Sequence, residues 1–308
     1  LAAGLIPRRR PEAHKGEAGR VLVVGGSAGM TGAIVLASMS ALRVGAGLVT
    51  AAVPESVNDA IESAMIEAMT WPLPESPERS LAGSAAPMII ARAREAKVVA
   101  LGPGLSRAPE SQELAWRVVA DSPVPVVLDA DGLNAFAGRA ERLFAARRRA
   151  PLVLTPHLGE LARLTGFTPS ALEDTRLDMA RRYAEEWGAV LVMKGAPTVV
   201  ASPTGEASVN PTGNPGMATA GMGDVLTGVI AGFIAQGLAP YDAARLGVYV
   251  HGLAADLAHA RVGTLGLVAG DVTATLPQAM HRLASAGLRS EIVPLPQTRI
   301  APAPPDGI

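Results

Sequence analysis

The sequence predicts an α/β fold in which a mostly parallel β-sheet is covered by helices on both faces. Short runs such as 21–24 and 152–154 are apolar throughout instead of alternating with polar residues, as expected for strands buried on both faces. These runs alternate along the chain with longer segments in which apolar residues have helical spacing, which is the pattern of βαβ units. The chain also has 33 Gly and 25 Pro residues, which supply tight turns between such elements.

The individual elements follow from these two patterns in chain order. The apolar runs predict strands at 20–24, 48–53, 97–101, 124–128, 152–154, 189–193 and 198–201. The helical spacing predicts helices at 31–43, 55–64, 110–120, 158–164, 170–186, 225–235, 241–259 and 271–286. The region 198–209 is expected to hold an antiparallel hairpin at one edge of the sheet.

Composition excludes several classes of protein. Lys and Arg nearly balance Asp and Glu, so the chain lacks the overall basic charge of a nucleic-acid binder. The absence of cysteine excludes disulfides, thiolate zinc sites and cysteine nucleophiles, and it fits a cytoplasmic protein. No run reaches the roughly 20 apolar residues of a membrane span, and the start has no signal-peptide pattern.

The chain is expected to form one domain. With 49% hydrophobic residues it can bury a large core, and no repeat or Gly- and Pro-rich linker divides it. We expect this domain to span residues 1–287. Residues 288–308 contain five prolines and are expected to form a loose C-terminal tail.

Small and polar residues follow several of the predicted strands. In open α/β sheets ligands bind beyond the carboxyl ends of the strands, so these segments are candidate site residues. They are 25–29 (GGSAG), 102–104 (GPG), 129–131 (DAD), 155–160 (TPHLGE) and 194–195 (KG). A glycine after one strand usually marks an ordinary turn. These segments are candidates because small and polar residues follow several strands.

The strongest single signal is the segment 210–224, which is rich in glycine and leads into the apolar helix predicted from Val225. Backbone amides of such a loop and of the first helical turn form an anion site, and Gly221 and Gly223 allow a phosphate to approach the main chain. Asp224 would stand beside that anion. We interpret it as the general base that takes a proton from a substrate hydroxyl attacking phosphorus, kept ionised by the helix N-terminus. The alternative is that Asp224 only caps the helix.

Other motifs are absent or weak. The sequence has no P-loop, no Gly-x-Gly-x-x-Gly after a strand and no His-Glu-x-x-His. His251 and His259 are predicted to lie on helix faces rather than to bind a metal. The segment Gly25-Gly26-Ser27-Ala28-Gly29 matches the nucleophile elbow of serine hydrolases, which makes a hydrolase a remote alternative.

The chain resembles the NAD(P)H-hydrate dehydratases, the carbohydrate-kinase-like family of the ribokinase-like superfamily. The matching segments come in family order from about residue 13 to 283, and the longest is 210–228. The other matching segments are 14–16, 25–33, 102–105, 128–131, 155–160 and 194–198. The resemblance implies a ribokinase-like three-layer α/β/α sandwich with a mostly parallel central sheet.

The resemblance also implies a repair reaction, in which ADP or ATP phosphorylates the ring hydroxyl of hydrated NADH or NADPH and loss of phosphate restores the cofactor. Asp224 would be the base, with the backbone of 220–223, including Gly221 and Gly223, as the anion hole. The resemblance assigns the hydrate to Ala33, Gly104, His157 and Asp224. It assigns the adenine nucleotide to Lys194, Gly195, Ala196, Pro197, Thr198 and Gly223.

Glu160 would hold Mg²⁺ through water, and Asn134 is a further candidate polar contact. His157 could instead be a helix cap after Pro156, and Lys194 could be a solvated strand end.

Several alternatives stay open from the sequence. A small-molecule kinase of the thiazole or hydroxymethylpyrimidine type would share the Gly-x-Gly-Asp motif and stop at the phosphoester. A non-catalytic nucleotide-binding module would not need Asp224. The resemblance also implies a homo-oligomer, with a tetramer as one option, and frequent fusion behind an epimerase domain. Because the sequence starts at Leu1 without Met, we expect one half of a longer bifunctional protein or an isolated piece of one.

Overall fold

A computed structural model describes residues 2–8 and 16–291 of the chain, with side chains to residue 285. His14, Lys15 and residues 292–308 of the expected tail lie outside the described residues. Within the described ranges, nine strands form one sheet. They are β1 (Arg20–Val24), β2 (Leu48–Pro54), β3 (Met69–Leu73), β4 (Val98–Leu101), β5 (Val126–Leu128), β6 (Leu152–Leu154), β7 (Val190–Met193), β8 (Val199–Ala201) and β9 (Ala207–Val209).

The helices of the described ranges lie between and after these strands. They are α1 (Thr31–Arg43), α2 (Asn58–Glu62), α3 (Ala86–Ala93), α4 (Pro109–Asp121), α5 (Ala130–Asn134), α6 (Leu158–Thr165), α7 (Pro169–Asp174), α8 (Arg176–Trp187), α9 (Met222–Ala235), α10 (Pro240–Val262) and α11 (Ala269–Glu291). Across these same residues, no helix has the length and hydrophobicity needed to span a bilayer.

The sheet confirms the predicted mostly parallel arrangement. The strand order is β3-β2-β1-β4-β5-β6-β7-β8-β9, with parallel pairing from β3 to β7. Strands β8 and β9 pair antiparallel at one edge, as expected for the hairpin. The order reverses between β1 and β4, which is the switch point at which ligands bind in such sheets.

Two apolar layers show that the fold is a three-layer α/β/α sandwich. Along β1, Val21 and Val23 face one core while Leu22 and Val24 face the other. The first core also contains residues of α1, α9, α10 and α11, and the second contains residues of α3, α4, α6 and α8. The continuous apolar runs of the sequence therefore arise because both faces of the strands are buried.

The structure corrects several element predictions. Strand β3 was missed for two reasons. Most of its residues are partly or fully exposed, so it lacks an apolar run, and it contains Pro72, which a sheet accepts at an edge such as this one. The segment predicted as a helix at 55–64 forms a short 3₁₀ turn followed by α2, and the one at 170–186 is divided at Thr175 into α7 and α8. Helix α11 continues to Glu291, so the expected boundary of the tail at 288 is too early.

Candidate functional site

A cavity of about 930 Å³ opens beyond the carboxyl ends of β5, β6 and β7. Its walls come from residues that follow these strands, from the segment 210–219, and from the beginning of α9. One side of α10, including Val248 and His251, completes the lining. The cavity thus lies at the carboxyl ends of the parallel strands, the side of the sheet on which such folds bind ligands, and next to rather than at the switch point between β1 and β4.

An ion pair between residues 65 positions apart forms one side of the cavity. Asp129 follows β5 and is 1% exposed, and Lys194 follows β7. Lys194 Nζ donates to Asp129 Oδ1 at 2.8 Å, and the Thr227 hydroxyl donates to Asp129 Oδ2 at 2.7 Å. Burial opposes the ionisation of Asp129, but Lys194 and the hydrogen bonds outweigh it and hold the pKa of Asp129 below its usual value.

Lys194 is largely buried rather than solvated, so the alternative of a solvated strand end is wrong. Burial works against its charge, yet Asp129 and Glu160 outweigh that cost and raise the pKa of Lys194. The carboxylate of Glu160 lies 3.7 Å from Lys194 Nζ. We call Asp129, Glu160 and Lys194 the ion-pair cluster.

His157 and Glu160 form a capping box at the start of α6. The backbone amide of His157 donates to Glu160 Oε2 at 2.8 Å, while the amides of Gly159 and Glu160 donate to His157 Nδ1 at 3.0 and 3.3 Å. The prediction that His157 caps this helix is confirmed. The structure also places its ring on the cavity, so capping and a ligand role are compatible.

The capping bonds decide what His157 can do chemically. Burial, with Lys194 and Arg163 nearby, lowers the pKa of His157, so the ring is neutral at physiological pH. A neutral ring whose Nδ1 accepts hydrogen bonds carries its proton on Nε2. The Nε2 donor of His157 lies at the cavity wall, 3.5 Å from Glu160 Oε1, and Nδ1 is not free to act as a base because it accepts the capping hydrogen bonds.

The start of α9 also lines the cavity, next to the ion-pair cluster, and it differs from the prediction. Gly221 is the N-cap residue with φ of +87°, and the helix begins at Met222 rather than at Val225. Gly223 and Asp224 are therefore in the first helical turn. No side chain caps this end, so the alternative in which Asp224 is a cap is wrong, and the first amides stay available to an anion.

Gly223 leaves space between α9 and the ion-pair cluster. A Cβ atom added at this position would lie 3.1 Å from Lys194 Nζ and 3.5 Å from Asp129 Oδ2. Absence of the side chain therefore keeps the amide of Gly223 and the ammonium of Lys194 open to one ligand.

Asp224 lies on the cavity wall, and no hydrogen bond or ion pair to its carboxylate is present among the described residues. Burial and the negative charge of Asp129 raise its pKa to about 7, against the opposing effect of Lys194. The expectation that the helix N-terminus keeps Asp224 ionised is met only in part, because burial and Asp129 leave the carboxyl partly protonated near neutral pH. A pKa near neutrality suits a group that accepts and returns a proton.

The loop over the cavity is held by polar side chains that the sequence interpretation did not single out. Asp256 of α10 accepts hydrogen bonds from the amide of Gly213 at 3.0 Å and from the side chain of Asn214 at 2.9 Å. The side chain of Asn210 donates to the carbonyl groups of Thr212 and Val248. These bonds fix residues 210–214 against α10.

The structure brings most of the predicted site residues to one cavity. Those that line it are His157, Glu160, Lys194, Gly195, Ala196, Pro197, Thr198, Gly223 and Asp224. Ala33, Gly104 and Gly221 lie outside this lining. Ala33 and Gly104 neighbour each other near the switch point, where a Cβ on Gly104 would be 3.4 Å from Ala33 Cβ, and Gly221 is packed close to Leu36 and Ala269. Asn134 bonds Asp131 and Arg163 instead of facing the cavity.

Two further observations concern metal and hydrolase chemistry. In the ranges that the structure describes, no cluster of three or more His, Cys, Asp or Glu residues could hold a metal ion. Glu160 Oε2 accepts a hydrogen bond from the His157 amide, and Glu160 Oε1 lies 3.5 Å from His157 Nε2, so a water-mediated contact through Oε1 would share that atom with the imidazole. Ser27 is 2% exposed and its hydroxyl has no hydrogen-bond partner among the described residues, so no histidine activates it as a hydrolase nucleophile.

Comparison with known proteins identifies the family. The family model for NAD(P)H-hydrate dehydratase matches residues 21–278. The chain belongs to the NAD(P)H-hydrate dehydratase family. This match favours the dehydratase resemblance over the small-molecule kinase alternative.

Three relatives illustrate the relationship. The chain is 50% identical over 278 residues to a bifunctional NAD(P)H-hydrate repair enzyme of Moorella thermoacetica, covering 90% of this chain and 52% of the relative. It is 38% identical to the ADP-dependent (S)-NAD(P)H-hydrate dehydratase of Xanthomonas campestris, covering 90% of this chain and 93% of that one. The solved ADP/ATP-dependent NAD(P)H-hydrate dehydratase of Bacillus subtilis, co-crystallised with ATP and Mg²⁺, has a TM-score of 0.79 and 32% identity, covering 92% and 96%.

The chain spans about half the length of its bifunctional relatives and nearly all of the Xanthomonas dehydratase. The dehydratase family relationship thus covers the whole sandwich and the cavity described above.

Proposed function

We propose that the protein repairs hydrated NADH and NADPH by a nucleotide-dependent dehydration. The observation that carries the proposal is Asp224, an unpartnered carboxylate with a pKa of about 7 beside the open amides at the start of α9. The names of the relatives supply the substrate class, an (S)-NAD(P)H hydrate, and an adenine nucleotide as co-substrate.

In the proposed first step, the ring hydroxyl of the hydrate attacks the terminal phosphorus of ADP or ATP. Asp224 accepts the hydroxyl proton, a new P–O bond forms, and the bond to the bridging oxygen breaks with release of AMP or ADP. The amides of Gly221–Gly223 and the ammonium of Lys194 face the charge that develops on the transferred group. His157 donates a hydrogen bond through Nε2.

In the second step the phosphate ester eliminates. The C–O bond breaks, phosphate leaves with the electron pair, and loss of a ring proton forms the double bond of the reduced nicotinamide. Phosphorylation is useful because hydroxide is a poor leaving group and phosphate is a good one. The proposed contacts of the hydrate are Ala33, Gly104, His157 and Asp224, and residues 194–198 together with Gly223 contact the nucleotide.

Magnesium fits this site as an ion bound mainly to nucleotide phosphates. Mg²⁺ keeps several waters and takes one or two carboxylates, so it does not require a preformed protein cage. When bound it would neutralise phosphate charge, and Glu160 Oε1 would be its water-mediated protein contact. Cytoplasmic location, homo-oligomeric assembly and an attached epimerase domain stay predictions.

A repair assay tests the proposed function. Hydrated NADH or NADPH is incubated with the protein and Mg²⁺ in the presence of ADP, ATP or no nucleotide, and recovery of the near-ultraviolet absorbance of the reduced nicotinamide is followed together with phosphate release. We expect recovery only with a nucleotide and one phosphate per cofactor restored. Accumulation of a stable phosphoester without recovery would identify a kinase, and recovery without nucleotide would contradict the phosphoryl-transfer step.

A further inference from the structure

A buried histidine on the cavity wall is not used by the proposed chemistry. His251 of α10 is 6% exposed and lines the cavity, and its Nε2 atom has no hydrogen-bond partner among the described residues. A polar atom buried without a partner costs about 1–3 kcal/mol, so such an atom beside a ligand cavity requires an explanation.

The position of His251 is fixed by tight packing of α10 on the loop above it. A Cβ on the next residue, Gly252, would lie 2.3 Å from Thr212 Oγ1, so only glycine allows this approach. Thr212 Oγ1 donates to the carbonyl of Tyr249 at 3.0 Å, and Asn210 Nδ2 donates to that of Val248 at 3.3 Å. The loop therefore bonds carbonyl groups of α10, while Nε2 of His251 has no hydrogen-bond partner among the described residues.

The surroundings of His251 indicate which part of a ligand it meets. Of the four expected contacts of the hydrate, His157 and Asp224 line this cavity and Ala33 and Gly104 do not, whereas all five residues from Lys194 to Thr198 line it. Val248, Met217 and Pro211 add apolar surface to the same lining. Mostly apolar walls with a few polar groups are typical of ligand pockets, and the apolar part of this lining suits a flat, neutral portion of a ligand.

The charge of His251 agrees with a neutral partner. Burial, with a further contribution from Lys194, lowers the pKa of His251 to about 4. The imidazole is therefore uncharged at physiological pH, and it offers one donor and one acceptor rather than a positive charge for phosphate.

We propose that His251 hydrogen-bonds the nucleoside portion of the adenine nucleotide, and thereby sets the affinity and selectivity of the site for that nucleotide. The identity of the ligand rests on the proposed function. The role assigned to His251 is to position the nucleotide and not to transfer a proton.

Calorimetric titration with ADP and Mg²⁺ tests this assignment on His251→Leu and His251→Asn. His281→Leu is the matched control, because His281 is exposed on α11, away from the cavity. Loss of one neutral hydrogen bond should raise the Kd for ADP about two- to tenfold in His251→Leu, and less in His251→Asn, which keeps a polar group. The Tm of ligand-free His251→Leu should stay unchanged or rise, because the unpartnered polar atom is removed.

Analogues of ADP locate the bonded group. The titrations are repeated with 2′-deoxy-ADP and with inosine diphosphate, which alter the ribose and the base respectively. If His251 bonds the altered group, the wild-type protein discriminates against that analogue and His251→Leu does not. At saturating nucleotide the KM for the hydrate should be the same in wild type and in both variants.

Two results would overturn the proposal, and they are distinguishable. If the wild type binds ADP and both folded His251 variants bind it equally well, His251 has no role in nucleotide recognition. If the wild type itself binds neither ADP nor ATP, the proposed function fails and the assignment of His251 fails with it.

Discussion

The ion-pair cluster and the start of α9 lie next to each other in one cavity, yet they are built in opposite ways. In the cluster, the buried Asp129 carboxylate is bonded by Lys194 and Thr227, and its pKa lies below the usual value. At the start of α9, Asp224 is unbonded, its pKa is about 7, and the first amides have no cap. The comparison shows that burial alone does not define a catalytic carboxylate. Partners keep Asp129 permanently ionised, whereas Asp224 remains able to exchange a proton.

Among the substitutions that test this comparison, Asp224→Asn should have the largest effect on turnover. The amide keeps the shape of the side chain but cannot accept the hydroxyl proton, so we expect turnover to fall by about 10²- to 10⁴-fold. Nucleotide affinity should be retained, since removal of a negative charge does not disfavour an anion. Steady-state repair kinetics and ADP titration measure the two effects. Near-normal turnover would support a non-catalytic nucleotide-binding module.

A matched control and a stability readout accompany this variant. Asp242 occupies the third position of α10 as Asp224 does in α9, but it pairs with Arg245 outside the cavity, so Asp242→Asn should keep its turnover.

The folded-state pKa of Asp224 exceeds its unfolded value, so wild-type stability falls as pH rises from about 4 to about 7. Asp224→Asn removes that loss, and its stability advantage should be larger at about pH 8 than at about pH 5.

Lys194→Met should disrupt the ion-pair cluster and lower stability. It leaves Asp129 buried without its cation, which we expect to reduce the free energy of unfolding by about 3–5 kcal/mol and to weaken ADP binding. Urea denaturation measures the first effect and calorimetry the second.

A second substitution separates the two effects of Lys194→Met. Adding Asp129→Asn removes the unpaired charge, so the double variant should recover much of the stability while ADP binding stays weak. Lys97→Met is the control, because Lys97 is an exposed lysine before β4. A double variant as unstable as the single one would show that the ion pair is not the source of the loss.

Gly223→Ala tests the space between α9 and the ion-pair cluster with a smaller change. The added methyl group would stand 3.1 Å from Lys194 Nζ. We expect ADP to bind about three- to tenfold more weakly, as when one hydrogen bond is displaced. Gly270→Ala is the matched control, since Gly270 is the second residue of α11 and has open space around its Cβ position. If Gly223→Ala and Gly270→Ala bind ADP with equal affinity, the nucleotide does not use the space beside Gly223.

The sequence predicted the sandwich, most of its elements and the segments that reach the cavity, because apolar periodicity and strand-end glycines are local signals. Strand β3 was missed, since an edge strand with Pro72 lacks the apolar run of a buried strand. The start of α9 was placed three residues late. Gly221 and Gly223 appeared to belong to the loop, whereas the helix begins between them.

The sequence by itself determined the fold class, the family and the composition of the glycine-rich segment before α9. Only the tertiary structure decided which carboxylate is paired and which is free. Asp129 finds Lys194 and Thr227 far along the chain, and Asp224 faces the same cavity without a partner. Likewise, only the tertiary structure shows that Nε2 of His251 has no hydrogen-bond partner among the described residues. The physical reason is that pKa values and hydrogen-bond partners depend on burial and on groups brought together by folding, which local sequence patterns do not record.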